Sequence, residues 1–233
     1  MKIAITGERG FLGIHLTAYF RYVLKFEVIE LGRDYLNTLP HAGPIDWLIH
    51  AAFIHRHENP EMVLELNRRL TEDTLNCLSQ NNIRCNIAFL SSIQEDNDSF
   101  YGKAKSEAKT KIHEFCTRRN MNFISYKLPN IFGKYAIPEK TSFIATFCYN
   151  LIHNKAVNFN SNEIRLCYID DAVSTIATLA PNEFTYTTTN VNAVYLLLKD
   201  FHEMNLSGQF PNLKTKFELD LYQTYLGYTN YKM

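Results

Sequence analysis

The sequence predicts an α/β fold, a doubly wound parallel sheet followed by a smaller C-terminal region, on three observations. Short apolar runs alternate with helix-period stretches through the first two-thirds of the chain, the pattern of a parallel sheet covered on both faces. The first apolar run leads directly into three glycines at three-residue spacing and then an amphipathic stretch. Of 233 residues, 46% are apolar and 21% charged, with 16 Phe and 14 Tyr, which excludes disorder, collagen-like repeats and low-complexity arrays.

Taken in order, the predicted strands are Lys2–Thr6, Phe26–Leu31, Trp47–Ala52, Asn86–Ser91 and Asn122–Lys127, with a short one near Leu166–Ile169. Helices are expected from Phe11, Pro60, Tyr101, Ser142 and Asp171, and across Leu213–Leu226. Pro60 suits a first helical position, and Asn81-Asn82 suits the end of the same helix. The segment Gly32 to Ile45 holds Pro40, Gly43 and Pro44 and is too short for a full crossover helix, so a minimal link is expected there. Residues 1–134 are expected to form the core, joined by one further strand and helix near 165–180, and 135–233 mainly a second region. Past Ala180 the alternation weakens and no element is assigned with certainty.

Lys plus Arg and Asp plus Glu each total 24, so the summed field is near zero, and neither nucleic acid nor membrane is expected as a partner. No apolar run approaches the roughly 20 residues needed to cross a bilayer. Only Ile3-Ala4-Ile5 separates Met1-Lys2 from the glycines, so no signal peptide is expected. Cys77, Cys85, Cys116, Cys148 and Cys167 are odd in number and form no Cys-x-x-Cys pair, which argues against a disulfide framework or zinc ribbon and for a reducing cytoplasm.

The run Thr6-Gly7-Glu8-Arg9-Gly10-Phe11-Leu12-Gly13 reads as a phosphate-binding turn in the first βα unit of a Rossmann-like sheet. Gly7 permits the tight turn, Gly10 lets backbone approach a pyrophosphate, and Gly13 lets the helix pack close to the sheet. The second strand ends Glu30-Leu31-Gly32-Arg33-Asp34. An acid there would accept the ribose hydroxyls of NAD, whereas an arginine would pair with the 2′-phosphate of NADP. Arg9 and Arg33 together favour NADP(H), with NAD(H) as the alternative.

Tyr101 and Lys105 lie on one helix face, four residues apart. The spacing alone means little, since Tyr195/Lys199 and Tyr228/Lys232 share it; the context of the first pair distinguishes it. It follows a strand ending Phe89-Leu90-Ser91-Ser92, at whose carboxyl end an open α/β sheet binds ligands. Tyr101 would protonate a carbonyl oxygen as hydride arrives, Ser92 would hydrogen-bond that oxygen, and Lys105 would lower the phenol's pKa and hold the cofactor ribose.

These residues resemble the extended short-chain dehydrogenase/reductase superfamily, with Asn67 on the intervening helix. Ser91-Ser92-Ile93-Gln94, the short spacer to Tyr101-Gly102-Lys103, Leu128–Lys134, Ala145–Asn150, Tyr168–Asp171 and Asp220–Leu226 further resemble the reductase domain of the CapF-type capsular polysaccharide enzyme, without its metal-binding cupin domain. The resemblance implies NADPH-dependent reduction of the C4 ketone of a nucleotide-diphospho-6-deoxy (N-acetyl) hexose in capsule or O-antigen precursor synthesis. It implies Ser92, Tyr101 and Lys105 as catalytic residues. The cofactor would lie on Gly7, Arg9, Gly10, Phe11, Leu12, Gly13, Arg33, Ala51, Ala52, Tyr101, Lys105 and Leu128. The nucleotide-diphospho-sugar would meet Ser92, Ile93, Gln94, Asn130 and Arg165, and a homodimer is the family-level expectation.

The chain departs from the family at His50-Ala51-Ala52-Phe53, where a small residue near the cofactor has become bulky, and at Lys127, where many members carry arginine. His55-Arg56-His57 lacks a third ligand and is read as polar loop, so no metal is expected. Asp170-Asp171 precedes an apolar helix pattern and is read as a cap. Two other functions fit the same residues: a 4-epimerase that retains NAD, and a non-catalytic NADP(H)-sensing protein.

Overall fold

The computed structural model describes residues 1–158 and 161–230, so Lys232 of the third Tyr/Lys pair lies outside it. Two compact units are present, Met1–Leu128 with Val173–Glu183, and Pro129–Ala172 with Phe184–Met233.

The first unit is built on five parallel strands, β1 (Lys2–Thr6), β2 (Glu27–Glu30), β3 (Trp47–His50), β4 (Asn86–Ser92) and β5 (Phe123–Leu128), in the order β2-β1-β3-β4-β5. Ile3, Ala4 and Ile5 of the central strand are fully buried, as a continuous apolar run covered on both faces requires. The chain leaves β1 toward β2 and returns past it to β3, so a crevice opens beyond the carboxyl ends of β1 and β3.

The helices of this unit are α1 (Phe11–Ala18), which continues into a π-helical turn at Tyr19–Val23, α2 (Tyr35–Thr38), α3 (Pro60–Gln80) and α4 (Phe100–Arg118). Capping sets the starts of the two long ones. Asn59 Oδ1 accepts from Glu61 N at 3.0 Å ahead of Pro60, and Ser99 Oγ accepts from Gly102 N at 3.0 Å. Arg68 of α3 donates to both oxygens of Glu107 on α4, at 2.6 and 2.7 Å. Ala4, Leu48, Ile87 and Phe89 of the sheet and Leu78, Ala108, Ile112 and Cys116 of the helices share one apolar core.

The second unit has a three-stranded sheet of β6 (Asn130–Phe132), β7 (Glu163–Tyr168) and β8 (Thr187–Asn190), parallel between β6 and β7 and antiparallel between β7 and β8. Its helices are α5 (Phe143–Ile152), α6 (Ile169–Ala177, which continues into the first unit), α7 (Val191–Leu206) and α8 (Lys216–Leu226). A capping box of Thr215 and Glu218 starts α8.

Four features differ from the sequence expectation. The strand near Leu166–Ile169 is not a further strand of the core sheet; it pairs with β6 and β8, because periodicity reports burial and not which strand supplies the ladder. β3 stops at His50, two residues short of Ala52, since β1 ends opposite it and Ala52 N donates instead to Thr6 Oγ1 at 3.1 Å. The link after β2 contains α2 and a 3₁₀ turn at Leu39–His41, with Tyr35 and Leu39 buried. Asp170 and Asp171 do not precede α6: both lie in its first turn, where carboxylates favour the helix dipole, and Asp171 receives Lys216 Nζ at 2.6 Å.

A Cβ on Gly13 would lie 2.1 Å from Gly7 O and 2.7 Å from Glu8 Cα, whereas one on Gly10 would meet only Gly7 O, at 3.1 Å. Gly13→Ala is therefore expected to cost about 1–3 kcal/mol by overpacking against backbone, and Gly10→Ala less than half of that. Urea midpoints of the two variants measure the difference; equal midpoints would contradict the packing role of Gly13.

Candidate active site

The glycine turn lies at the crevice between β1 and β3. Gly7 has φ +70°, a conformation suited to glycine, and a Cβ there would lie 2.7 Å from Ala52 N and 2.9 Å from the Ala51 carbonyl carbon. Ala51 and Ala52 thus form the opposing wall. Gly10 N closes the turn on Gly7 O at 2.9 Å, and Gly10 precedes α1 without any side-chain cap, which leaves N–H groups of the first turn for an anion. Gly10 is exposed, Phe11 and Leu12 half-buried and Gly13 buried. A dinucleotide's phosphates fit this cradle: its backbone is bare at Gly10 and its walls admit no side chain at Gly7 or Gly13.

The charges nearby are unevenly engaged. Glu30 is paired with Arg21 at 2.8 Å, and Asp34 accepts from Asn37 Nδ2 at 2.8 and 2.9 Å. Arg9 lies 3.5 Å from the buried Glu8 carboxylate while remaining 81% exposed. Arg33 is exposed and pairs with no acid among the described residues.

α4, which carries Tyr101 and Lys105, is seated on β4 and on the 3₁₀ turn Ile93–Asp96 that follows Ser92. A Cβ on Gly102 would lie 2.2 Å from Gln94 O, so glycine lets the first turn of α4 rest directly on the turn after Ser92. Ser92 Oγ accepts from Gln94 N at 3.2 Å, which leaves its own proton to donate. Ile93 is half-buried and Gln94 exposed, and Leu128 is the ladder partner of Ser92.

Lys105 is 3% exposed, and its Nζ donates to Leu90 O at 2.6 Å. The ammonium lies 3.6 Å from the Phe53 ring centroid, 4.8 Å from that of Phe89 and 5.7 Å from that of Tyr101. Phe53 stands edge-on to Tyr101 at 5.7 Å, and His55 stacks on the same ring at 5.3 Å. The Tyr101 hydroxyl makes no hydrogen bond among the described residues.

Burial governs the proton affinities. It lowers Lys105 to about 7, against which the Glu95 carboxylate pulls upward. It raises the Tyr101 phenol above its ordinary value, where the sequence led us to expect a phenol lowered by its lysine; desolvation outweighs the cation. Burial, then the charge of Lys105, lowers His50 to about 3. Around neutral pH the phenol therefore keeps its proton, and the lysine is poised between its two forms.

Asn67 accepts from Ile54 N at 2.8 Å and donates to Ile54 O at 2.9 Å and Val63 O at 2.7 Å, which fastens the segment after β3 to α3. His57 Nδ1 meets Asn59 N at 3.1 Å, so His55 and His57 serve different neighbours. In the second unit, Asn130 Nδ2 donates to Arg165 O at 3.2 Å, and the exposed Arg165 guanidinium lies 5.4 Å from the Tyr186 ring.

Sequence reasoning missed Glu95, Gly102 and the aromatic cover over Lys105. The glycine was legible in Tyr101-Gly102-Lys103 as a close backbone approach, but nothing in the pattern marks Glu95 as buried.

A Rossmann-like sheet, a phosphate cradle at the β1/β3 crevice and a serine, tyrosine and lysine on β4 and α4 define a short-chain dehydrogenase/reductase of the extended type. The family model of the NAD dependent epimerase/dehydratase family matches residues 3–192, and the chain belongs to that family. It is 32% identical over 179 residues to a UDP-2-acetamido-2,6-beta-L-arabino-hexul-4-ose reductase of Pseudomonas aeruginosa, covering 75% of this chain and 48% of that protein. The chain thus spans about half the length of that relative. The capsular polysaccharide assembling protein CapF from Staphylococcus aureus superposes with a TM-score of 0.81 at 27% identity, over 100% of this chain and 68% of that one. RMD from Pseudomonas aeruginosa, complexed with NADPH, superposes with a TM-score of 0.81 over 99% of both chains; at 14% identity it shares the fold alone. No described helix is long and apolar enough to cross a membrane.

The proton affinity of Lys105 is directly measurable. With side-chain-labelled lysine, one NMR resonance should titrate with a midpoint near pH 7, ammonium below and free amine above, and vanish in Lys105→Met. A midpoint above 10 would overturn the assigned burial of the ammonium.

Proposed function

We propose that the protein reduces the C4 ketone of a nucleotide-diphospho-6-deoxy-N-acetylhexose to the alcohol with NADPH, in the cytoplasm. The observation that carries this reading is the seating of α4, with Tyr101 and Lys105, against the end of β4, the strand that ends at Ser92. The reductase of Pseudomonas aeruginosa, 32% identical, supports the substrate class. Solved UDP-glucose 4-epimerases, 16% and 14% identical, share only the fold, which leaves the NAD-retaining epimerase reading without comparable support.

In this reading Gly7, Gly10, Phe11, Leu12 and Gly13 hold the pyrophosphate, and Ala51, Ala52 and Leu128 wall the cofactor. The reduced nicotinamide, when bound, supplies the hydride. Ser92 donates a hydrogen bond to the ketone oxygen, and the buried, protonated Tyr101 hydroxyl gives that oxygen its proton as the C4 carbon is reduced. The Lys105 ammonium stabilises the phenolate left behind, and solvent restores its proton. Lys105 would reach a ribose with the donor that Leu90 O and the Phe53 ring leave to it. Ile93, Gln94, Asn130 and Arg165 are proposed to bind the sugar nucleotide, and a homodimer is proposed, to be tested by sizing.

Purified protein given NADPH and an enzymatically generated UDP-4-keto-6-deoxy-N-acetylhexosamine should oxidise the cofactor and yield a new C4 hydroxyl. Tyr101→Phe should lower kcat about a hundred- to ten-thousand-fold while leaving NADPH binding intact. Wild-type NADPH binding without turnover of any keto-sugar would favour the sensing protein instead, and turnover in Tyr101→Phe would refute the proton donor.

The choice of cofactor rests on Arg33, since the acid suited to the NAD ribose, Glu30, is held by Arg21. Arg33→Ala should raise KM for NADPH about tenfold or more and leave KM for NADH nearly unchanged. Equal effects on both cofactors would remove the argument for NADPH.

A further inference from the structure

We propose that Glu95 is a positioning residue of this site: its buried carboxylate ties the end of β4, the third turn of α4 and the end of β5 together and supplies the counter-charge for Lys105. The proposal rests on the ketoreductase reading for its consequence in catalysis, and on geometry for the rest. Glu95 occupies the 3₁₀ turn after Ser92, yet its side chain is 5% exposed while that of the neighbouring Asp96 is 66% exposed. Its oxygens are divided among three elements. Oε1 receives Lys109 Nζ from α4 at 2.7 Å and faces Lys127 Nζ from β5 at 3.8 Å, and Oε2 accepts the Ser91 hydroxyl from β4.

Each contact is next to a residue of the site. Ser91 precedes Ser92, Lys109 stands one helical turn beyond Lys105, and Lys127 precedes Leu128. One carboxylate thus sets the register of the serine's turn against the helix that carries Tyr101. A purely structural duty would not require this chemistry, since a buried ion pair is seldom more stabilising than a well-packed apolar replacement.

The charge itself has a second effect. The titratable groups set against Lys105 are Tyr101 from α4, His50 from β3, His55 from the segment after it, and Glu95, whose own ion-pair partners are Lys109 from α4 and Lys127 from β5. Glu95 is the sole carboxylate acting on Lys105 among the described residues, and it favours the ammonium that burial opposes. Removing it shifts Lys105 toward the free amine, which cannot stabilise a tyrosinate.

Glu95→Gln tests this, with Glu95→Asp beside it. In Glu95→Gln the Lys105 NMR midpoint should fall by about one pH unit, the alkaline limb of kcat should move down with it, and kcat at pH 8 should drop about tenfold while NADPH affinity stays within about twofold. Glu95→Asp, which keeps the charge and draws it back by one methylene, should recover most of the limb. An unshifted midpoint in folded Glu95→Gln refutes the role of Glu95; if that variant does not fold, a Lys105 midpoint and alkaline limb unchanged in Ser91→Ala, which frees Oε2, refute it instead. An inert wild-type protein whose midpoint still moves in the variant refutes the reaction and leaves the role of Glu95 standing.

Discussion

A lysine ammonium taken almost wholly out of water constrains more of the first unit than any other single group. Desolvating such an ion costs several kcal/mol unless neighbours replace its hydration, and Lys105 has one carbonyl, three aromatic rings and one indirect carboxylate to do so. The composition of α4 follows. Gly102, Ala104 and Ala108 are buried and small, which lets the helix approach β4 closely enough for Nζ to reach Leu90 O. A bulkier residue at any of them would hold the helix away and strand the charge. The compensation is incomplete, so the lysine titrates near neutrality instead of three units above it.

The same economy of charge operates at the other end of the crevice. The three acids around the glycine turn and the end of β2 all have partners inside the unit: Glu8 with Arg9, Glu30 with Arg21 and Asp34 with Asn37. These partners hold the acids in place and leave backbone N–H groups and Arg33 at the mouth of the crevice, groups suited to a phosphate. The glycines contribute by absence. Gly7 and Gly13 bring the turn, the start of α1 and the Ala51-Ala52 segment within contact distance of one another, so the cradle's shape is backbone against backbone.

How far the sequence could be read depended on whether local pattern or a remote partner decides the structure. The five core strands and the starts of α1, α3, α4 and α5 follow, to within a residue or two, from apolar runs, Pro60 and the glycines, all local signals. Ser92, Tyr101 and Lys105 were legible because strand, serine and helix succeed one another within a few residues. β8 was not legible: Thr187-Thr188-Thr189-Asn190 alternates nothing apolar and is a strand only because β7 pairs with it. α7 carried a readable signal, with Asn190 capping Ala193 N and Val194, Leu198 and Phe201 buried at helical spacing, although the preceding polar run obscured it. Glu95 illustrates the remaining limit. Among Gln94, Asp96 and Asp98 it looks like solvated turn, and only Ser91, Lys109 and Lys127, brought in by three separate elements, make it a buried hub.

Phe53 shows how the site stays closed around its charge. The Ala51-Ala52 backbone lies so close to Gly7 that no side chain fits on that glycine, and Phe53 follows directly, with its ring turned onto the lysine. Asn67 holds Ile54 by both N and O, so the backbone beside Phe53 is fixed with the ring over Lys105. A desolvated cation–π contact is worth about 2 kcal/mol, close to the roughly 1.5–3 kcal/mol of a hydrogen bond to a charged group. The ring thus shields one side of the ammonium from water without a second counter-charge.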